Sequence, residues 1–258
     1  IQYLKCDLAD WQDIKALSAL GIKGLRVIYL AANLDPCEDG EHVPSVLSDN
    51  ILALGSFLSA FAGRIDHLVY LSSVSVYGRP EYNPIDENHP THPYSIYGTS
   101  KVSAEMIARN LCARHNTGLT IIRATQLFGL SSADSSLPHL LLTRMRNGQP
   151  LKITCDPAVE RDYLHVRDLI DLLVRAIEHP AAGIFNAGSG SPIRIGDLFE
   201  LMFKKFGIPF DLNLLLQKPL QPSFTQVLSI GKARERFGFD PSYPIQKWIA
   251  DLAEGATN

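Results

Sequence analysis

The chain has 258 residues, of which 46% are hydrophobic, enough to bury the core of one large domain or two modest ones. Its net charge of −3 and pI of about 6.2 argue against a surface for nucleic acid or anionic membranes. The four cysteines are scattered, so neither a disulfide framework nor a metal site is indicated. No apolar run of membrane-spanning length and no signal peptide is apparent, which predicts a cytoplasmic protein.

The first half of the chain alternates short apolar strands with helices. Strands are predicted at 1–6, 25–32, 65–73 and 119–123, and helices at 11–20, 43–62 and 98–115. Several strands are apolar on both faces, which is typical of a mostly parallel sheet in a doubly wound α/β fold. The 43–62 helix has an unusually wide apolar face.

Beyond about residue 129 the pattern is mixed and richer in loops. Helices are predicted at 137–145, 166–177, 195–206, 230–237 and 245–253, and short strands at 151–154 and 183–187. This pattern suits a smaller lobe at the carboxyl ends of the parallel strands, where ligands bind in such sheets.

A tyrosine and a lysine stand four residues apart at the start of the 98–115 helix. Residues i and i+4 share a helix face, so Tyr97 and Lys101 are predicted to point into the same space. A free phenol has a pKa near 10, and bringing it toward neutrality needs about 3 units, roughly 4 kcal/mol. A fixed lysine charge nearby favours the phenolate, so an acid or base is predicted here. Ser73, which ends the preceding apolar run, is predicted to hold the reacting oxygen.

The same spacing also fits a packed tyrosine beside a surface lysine, because Tyr-x-x-x-Lys often arises by chance in a chain of this length. The order of features favours catalysis. An apolar run ending in serines comes first, a proline-rich loop follows, and the helix with Tyr97 and Lys101 comes last.

Six further motifs follow one another along the chain. They are Cys6-Asp7-Leu8-Ala9-Asp10, Tyr29-Leu30-Ala31-Ala32, Asp49-Asn50-Ile51, Arg123-Ala124-Thr125-Gln126-Leu127-Phe128-Gly129, Glu160-Arg161-Asp162-Tyr163-Leu164-His165-Val166-Arg167-Asp168 and Phe185-Asn186-Ala187-Gly188-Ser189-Gly190. In this register the chain resembles the extended short-chain dehydrogenase/reductase family, in particular its NAD-dependent nucleotide-sugar epimerases, dehydratases and reductases.

The resemblance implies a doubly wound, mostly parallel Rossmann-type sheet and a smaller mixed α/β substrate lobe. The dinucleotide-binding domain would cover 1–129 with contributions from about 155–187, and 130–258 would form mainly the substrate lobe. The implied cofactor is NAD or NADP, with NAD favoured, and a cationic nicotinamide ring would further favour the Tyr97 phenolate. The implied cofactor residues are Asp7, Leu8, Ala31, Ala32, Asn50, Tyr97 and Lys101.

The resemblance also implies substrate contacts. Ser73, Ser75, Gln126 and Arg161 would bind a nucleotide sugar, Arg161 through its diphosphate. Asp7 could instead cap the following helix, and Arg161 could pair with Asp162 at the surface. His165 is interpreted as a structural hydrogen-bonding residue, and Gly188-Ser189-Gly190 as a turn rather than a phosphate loop.

The sequence departs from the family at three places. It has no Gly-x-x-Gly-x-x-Gly turn, so the first βαβ unit is predicted to be missing by truncation, and the chain as given is expected to bind cofactor poorly. Val74 and Ser75 stand where dehydratases carry an Asp-Glu pair, which disfavours elimination chemistry. Lys218 stands roughly where the family places an arginine on the nucleotide phosphates.

The predicted function is an NAD(P)-dependent epimerase that oxidises a nucleotide-activated sugar transiently to a keto sugar. One alternative is a nucleotide-sugar keto-reductase, which performs only the reductive half. Another is a catalytically silent sugar-nucleotide-binding protein. The wide apolar faces of the 43–62 and 98–115 helices predict a homodimer, although those faces could simply pack on the sheet.

Overall fold

The computed structural model describes residues 2–35, 37, 40–129, 136–221 and 223–252. The chain divides into two compact units. Unit 1 comprises Ile1–Arg79, Asn88–Arg123 and Leu173–Phe185, and unit 2 comprises Pro80–Glu87, Ala124–Leu172 and Asn186–Asn258. The assignment of cofactor binding to one domain and substrate binding to the other lobe stays a prediction.

The elements follow in chain order. The first part contains α1 Trp11–Ser18, β1 Leu25–Tyr29, α2 Val43–Leu47, a π-helical turn Ser48–Leu52, α3 Ala53–Ala60, β2 Ile65–Ser73, a 3-10 turn Val74–Val76, α4 Ile96–Arg114 and β3 Gly118–Ala124. The rest contains β4 Gln126–Phe128, α5 Leu137–Arg146, β5 Ile153–Cys155, β6 Glu160–Arg161, β7 Tyr163–His165, α6 Val166–Glu178, β8 Gly183–Ala187, β9 Ile193–Arg194, α7 Ile195–Lys205, α8 Leu212–Leu215, β10 Leu216–Gln221, α9 Gly231–Phe237 and α10 Ile245–Asp251.

Unit 1 is built around a parallel sheet in the order β1-β2-β3-β8. Its core lies between this sheet and the helices α3 and α4, and consists of the buried residues Tyr29, Leu54, Phe57, Leu58, Phe61, Ile65, Leu68, Tyr70, Ala104, Ala108, Cys112 and Ile121. The predicted Rossmann-type α/β architecture is confirmed. Strands buried on both faces explain why their sequences are continuous apolar runs.

Two predictions for unit 1 are wrong. Residues 2–6 form no strand, because a strand needs a neighbour that pairs with its N–H and C=O groups and these residues pair with none. The helix predicted at 43–62 is divided by the π turn Ser48–Leu52 into α2 and α3. Single π turns within helices are frequent at functional sites.

By length and composition the segment Val43–Ala60 could span a membrane, contrary to the expectation that no apolar run is long enough. A helix packed in a core passes the same test, and α3 contributes Leu54, Phe57 and Leu58 to the core of unit 1. A single such helix is therefore weak evidence for a span.

Within the described residues, unit 2 is assembled from helices and three two-stranded ladders. The pairs β4–β7 and β5–β10 are parallel, and β6–β9 is antiparallel. Its core draws mainly on α5, α7 and α10 and consists of the buried residues Phe128, Leu141, Leu142, Met145, Ile153, Tyr163, Ile193, Ile195, Leu198, Phe199, Met202, Phe203, Ile245 and Ile249.

Candidate active site

The first turn of α4 lies against the loop that follows β2. Ser95 caps α4, since its Oγ accepts a hydrogen bond from the Gly98 amide at 3.0 Å. A Cβ on Gly98 would stand 2.6 Å from the Ser75 carbonyl oxygen and 2.9 Å from the Pro93 Cβ. Only glycine permits this approach, so Gly98 positions Tyr97 beside the serine loop. This role of Gly98 was not predicted from the sequence, although the glycine directly follows the tyrosine.

The structure brings Tyr97 and Ser73 together. Their side chains share a hydrogen bond, and Ser73 Oγ also donates to Ser75 Oγ at 3.2 Å and accepts from the Ser75 amide at 3.1 Å. Burial raises the pKa of the Tyr97 phenol, and the hydrogen bond with Ser73 opposes that rise. The direction is opposite to the lowered pKa expected from the sequence, because desolvation exceeds the effect of the hydrogen bond.

Lys101 is buried on the same helix, with 3% of its surface exposed, so the surface-lysine interpretation is wrong. Its Nζ donates a 2.7 Å hydrogen bond to the Leu71 carbonyl oxygen and lies 4.6 Å from the centre of the Tyr70 ring. Burial lowers the pKa of Lys101 to about 8, and the Glu105 carboxylate opposes the fall.

A buried ion pair that the sequence analysis missed lies one helical turn beyond Lys101. Glu105 accepts hydrogen bonds from Arg123 Nε at 3.0 Å and Arg123 Nη2 at 2.8 Å, and from Ser72 Oγ at 2.6 Å. The Arg123 guanidinium also lies 4.8 Å from the centre of the Tyr77 ring. The one available signal was the spacing of Tyr97, Lys101 and Glu105, which places all three on one helix face.

A cleft of about 430 Å³ opens in unit 1 and has the size of a small-molecule site. Its lining residues are Asp7, Leu8, Ala9, Ala31, Ala32, Asn33, Asp49 and Ala53. Four residues predicted to bind the cofactor, Asp7, Leu8, Ala31 and Ala32, lie here. Asp10 rather than Asp7 caps α1, since its Oδ1 accepts from the Gln12 amide at 2.7 Å, so the capping interpretation of Asp7 is wrong.

Asn50 lies in the π turn and is buried. Its Oδ1 accepts from the Asn33 amide at 2.6 Å, while its Nδ2 donates to the Asn33 carbonyl and to Ser100 Oγ, both at 2.9 Å. Asn50 thus links Asn33, which follows β1, to Ser100 of α4. It supports the wall of the cleft through Asn33 and is not among the lining residues.

In unit 2, Gln126 and Arg161 lie on separate short strands. Gln126 is exposed on β4 and pairs with Tyr163 of β7. The Arg161 guanidinium donates to the carbonyl oxygens of Phe224 and Glu160. Lys218 is exposed on β10.

Asp162 is buried and its carboxylate closes a turn. Its Oδ1 accepts from the Ser189 amide at 2.8 Å and from Ser189 Oγ at 2.5 Å, and its Oδ2 accepts from the Leu228 amide at 3.3 Å. A Cβ on Gly188 would stand 2.3 Å from Asp162 Oδ2. The prediction of a surface ion pair between Arg161 and Asp162 is therefore wrong. Gly188-Ser189-Gly190 forms a turn around the Asp162 carboxylate.

His165 is also buried in unit 2. Its Nδ1 accepts from the Arg167 amide at 3.1 Å, and its ring packs against Phe128 and Tyr243. This agrees with the structural role predicted for it.

A parallel sheet of this order, with a cleft beside small residues at a strand end, defines the chain as a Rossmann-type protein. The family model described as "NAD dependent epimerase/dehydratase family" matches residues 2–188, and the chain belongs to that family.

Several relatives are similar to this chain over most of their length. The chain is 27% identical to the UDP-glucose 4-epimerase of Corynebacterium glutamicum, over 95% of this chain and 79% of that protein. It is 26% identical to the UDP-glucose 4-epimerase of Rhizobium meliloti, over 98% of this chain and 82% of that protein. The solved structure of the Thermotoga maritima UDP-glucose 4-epimerase superposes with a TM-score of 0.85 at 21% identity, covering 96% of this chain and 81% of that one.

These comparisons confirm the predicted family, the predicted enzyme class and a nicotinamide dinucleotide as cofactor. The preference for NAD over NADP and the roles of individual residues stay predictions.

Proposed function

We propose that this protein is an NAD(P)-dependent epimerase that acts on a nucleotide-activated sugar through transient oxidation to a keto sugar. The observation that carries the proposal is the Tyr97 phenol hydrogen-bonded to Ser73, with the buried Lys101 one helical turn away. The names of the two relatives above, both UDP-glucose 4-epimerases, support the substrate class.

In this proposal Tyr97 takes the proton of a sugar hydroxyl and later returns it. Ser73 holds the same oxygen, since its hydroxyl already shares a hydrogen bond with the phenol. Ser75 assists by accepting a hydrogen bond from the Ser73 hydroxyl. Desolvation raises the pKa of the partly buried Tyr97 phenol and keeps it protonated at rest, so proton uptake requires added positive charge beside it.

The residues around the cleft fit a nicotinamide dinucleotide. Ala31 and Ala32 leave the cleft open because their side chains are small, and the Asp7 carboxylate offers an acceptor for neutral N–H or O–H donors. The Lys101 ammonium has three donors, one of which bonds Leu71, so it could also bind a ribose hydroxyl. The bound cofactor would supply a hydride acceptor and donor, and in its oxidised form a positive charge.

Elimination chemistry is not proposed. Val74 is buried and Ser75 carries a hydroxyl that bonds Ser73, so neither offers a carboxyl group next to Ser73. Gln126 and Arg161 are proposed to contact the sugar nucleotide. A homodimer in the cytoplasm is proposed as well, and exposed apolar side chains on the helices support it, namely Leu47, Leu52 and Met106.

Turnover of a nucleotide-sugar panel by the protein expressed from its complete coding sequence tests the proposal. With a trace of NAD, we expect one sugar epimer to convert to an equilibrium mixture while no reduced cofactor accumulates. Stoichiometric consumption of reduced cofactor would identify a keto-reductase instead. Calorimetric binding of a nucleotide sugar without binding of NAD, and without turnover, would identify a silent binding protein.

A further inference from the structure

The buried ion pair behind Lys101 has a closed set of partners. Both Glu105 oxygens are engaged, Oε1 by Ser72 and Arg123, and Oε2 by Arg123 and by Arg109 Nη2 at 3.3 Å. Glu105 and Arg123 are 2% and 3% exposed. An ion pair of this kind is costly to bury and is not needed for packing, since apolar residues of similar volume serve as well.

Three elements converge on Lys101. Glu105 follows one turn later on the same helix α4, the ammonium contacts the Tyr70 ring and the Leu71 carbonyl of β2, and Arg123 of β3 binds Glu105. Tyr29 of β1 and Tyr77 also lie in this neighbourhood, the first beside Tyr70 and the second under Arg123. Among these groups Glu105 is the carboxylate, and the others facing the ammonium are phenols or a carbonyl.

We propose that Glu105 and Arg123 are positioning residues that together set the protonation of Lys101. Glu105 supplies the negative charge that keeps the buried ammonium protonated, and Arg123 limits that charge by neutralising part of it. Ser72 ties the same carboxylate to β2 directly before Ser73, so the pair also orients the serine that shares a hydrogen bond with Tyr97. The catalytic meaning of this inference depends on the proposed function of the site, but the charge coupling does not.

Loss of the Glu105 charge and loss of the Arg123 charge should shift the pKa of Lys101 in opposite directions. Glu105→Gln removes the favourable charge and should lower the pKa of Lys101 by about 1 unit, whereas Arg123→Gln leaves the carboxylate unopposed and should raise it by about 1 unit. The double variant should leave the Lys101 pKa close to its wild-type value, because the two shifts cancel. Arg109→Gln is the matched control, because Arg109 contacts the same carboxylate from a half-exposed position and should change the pKa by less than about 0.3 unit.

The measurement is an NMR pH titration of protein labelled with ¹³C at the lysine side chains, without cofactor, with the Lys101 signal assigned by its loss in Lys101→Met. Opposite shifts in the two single variants support the inference, since loss of stability alone would not move one pKa in two directions. Shifts of the same sign, or none, in folded variants would overturn it. If one single variant fails to fold, the other single variant decides: an unchanged Lys101 pKa in that folded variant overturns the inference.

Activity gives an independent second readout. The alkaline limb of kcat/KM should move in the same direction as the Lys101 pKa in each variant. Opposite NMR shifts without any turnover of nucleotide sugars would retain the charge coupling and refute the proposed function. Turnover of nucleotide sugars with an unchanged Lys101 pKa in the variants would support the proposed function and refute the charge coupling.

Discussion

The two units bury charged side chains in different ways. In unit 1, Glu105 of α4 binds Arg123 of β3 through their side chains, and Lys101 of α4 donates to the Leu71 carbonyl of β2. In unit 2, Asp162 accepts from the amides of Ser189 and Leu228, and Asp168 accepts from the amides of Ser242 and Tyr243. The first arrangement is the one we propose to set the charge of Lys101, and the second holds loops in place through backbone amides.

The two arrangements predict where a substitution should alter chemistry and where it should alter stability. A carboxylate satisfied by backbone amides has its charge neutralised by the fold itself, so its removal loosens the loop. A buried ammonium without a carboxylate in direct contact keeps a responsive pKa.

Removal of the Tyr97 hydroxyl should have the largest effect. Tyr97→Phe keeps the ring and loses the proton carrier, so kcat for nucleotide-sugar epimerisation should fall by about 10³-fold with little change in KM. Tyr94→Phe is the matched control, because Tyr94 is exposed just before the same helix, and its kcat should stay at the wild-type level. A Tyr97→Phe protein that keeps more than about a tenth of wild-type kcat would remove Tyr97 from the mechanism.

The lowered pKa of Lys101 should appear in the pH dependence of stability. In the folded protein its pKa is about 8 instead of its ordinary 10.5, so between these values the unfolded chain holds more protons on this group. The contribution of Lys101 to the free energy of unfolding should therefore rise with pH across this window, by about 3 kcal/mol.

Urea unfolding followed by Trp11 fluorescence in a Trp248→Phe background reports on unit 1, since Trp11 lies there. The free energy of unfolding of Lys101→Met should lack this rise, and the difference between the two proteins isolates the lysine. Parallel pH profiles for the two proteins would show that Lys101 titrates normally in the folded state.

An added methyl group at Gly98 should displace Tyr97. In an open helix Gly→Ala stabilises by about 1 kcal/mol, but here the Cβ would stand 2.6 Å from the Ser75 carbonyl oxygen. A shift of the first turn of α4 should lower kcat by about 10²-fold. In the control Gly55→Ala the Cβ meets Ile107 Cγ2 at an ordinary 3.8 Å, so kcat should be retained. Equal kcat values for the two variants would contradict the role given to Gly98.

Local periodicity was enough to predict the elements that carry Tyr97, Lys101 and Ser73. The strand predicted at 65–73 is β2, Ile65–Ser73, and the i, i+4 spacing placed Tyr97 and Lys101 on one face of α4. Asp7, Leu8, Ala31 and Ala32 came from motif matches alone, and the structure places them around one cleft.

What the sequence did not predict depends on contacts between distant residues. Glu105 meets Arg123 across 18 positions, and neither residue signals its partner locally. The rise in the pKa of Tyr97 follows from desolvation, which depends on packing rather than on spacing. In unit 2, β6 and β9 have two residues each, too few to show the alternation that marks a strand.

The smallest effect should come from Asp162 and should be confined to the stability of unit 2. Asp162→Asn replaces an acceptor with a donor that faces the amides of Ser189 and Leu228, which should cost about 2 kcal/mol. Trp248, which packs against Phe128 in the same unit, reports the unfolding transition in a Trp11→Phe background. The control is Asp240→Asn, because Asp240 is exposed and forms a 3.1 Å ion pair with the exposed Arg234, so its transition should not move. If Asp162→Asn instead left the Trp248 transition unchanged but altered the pH profile of kcat, the carboxylate would belong with the charge-setting groups of unit 1, and the contrast between the two units would fail.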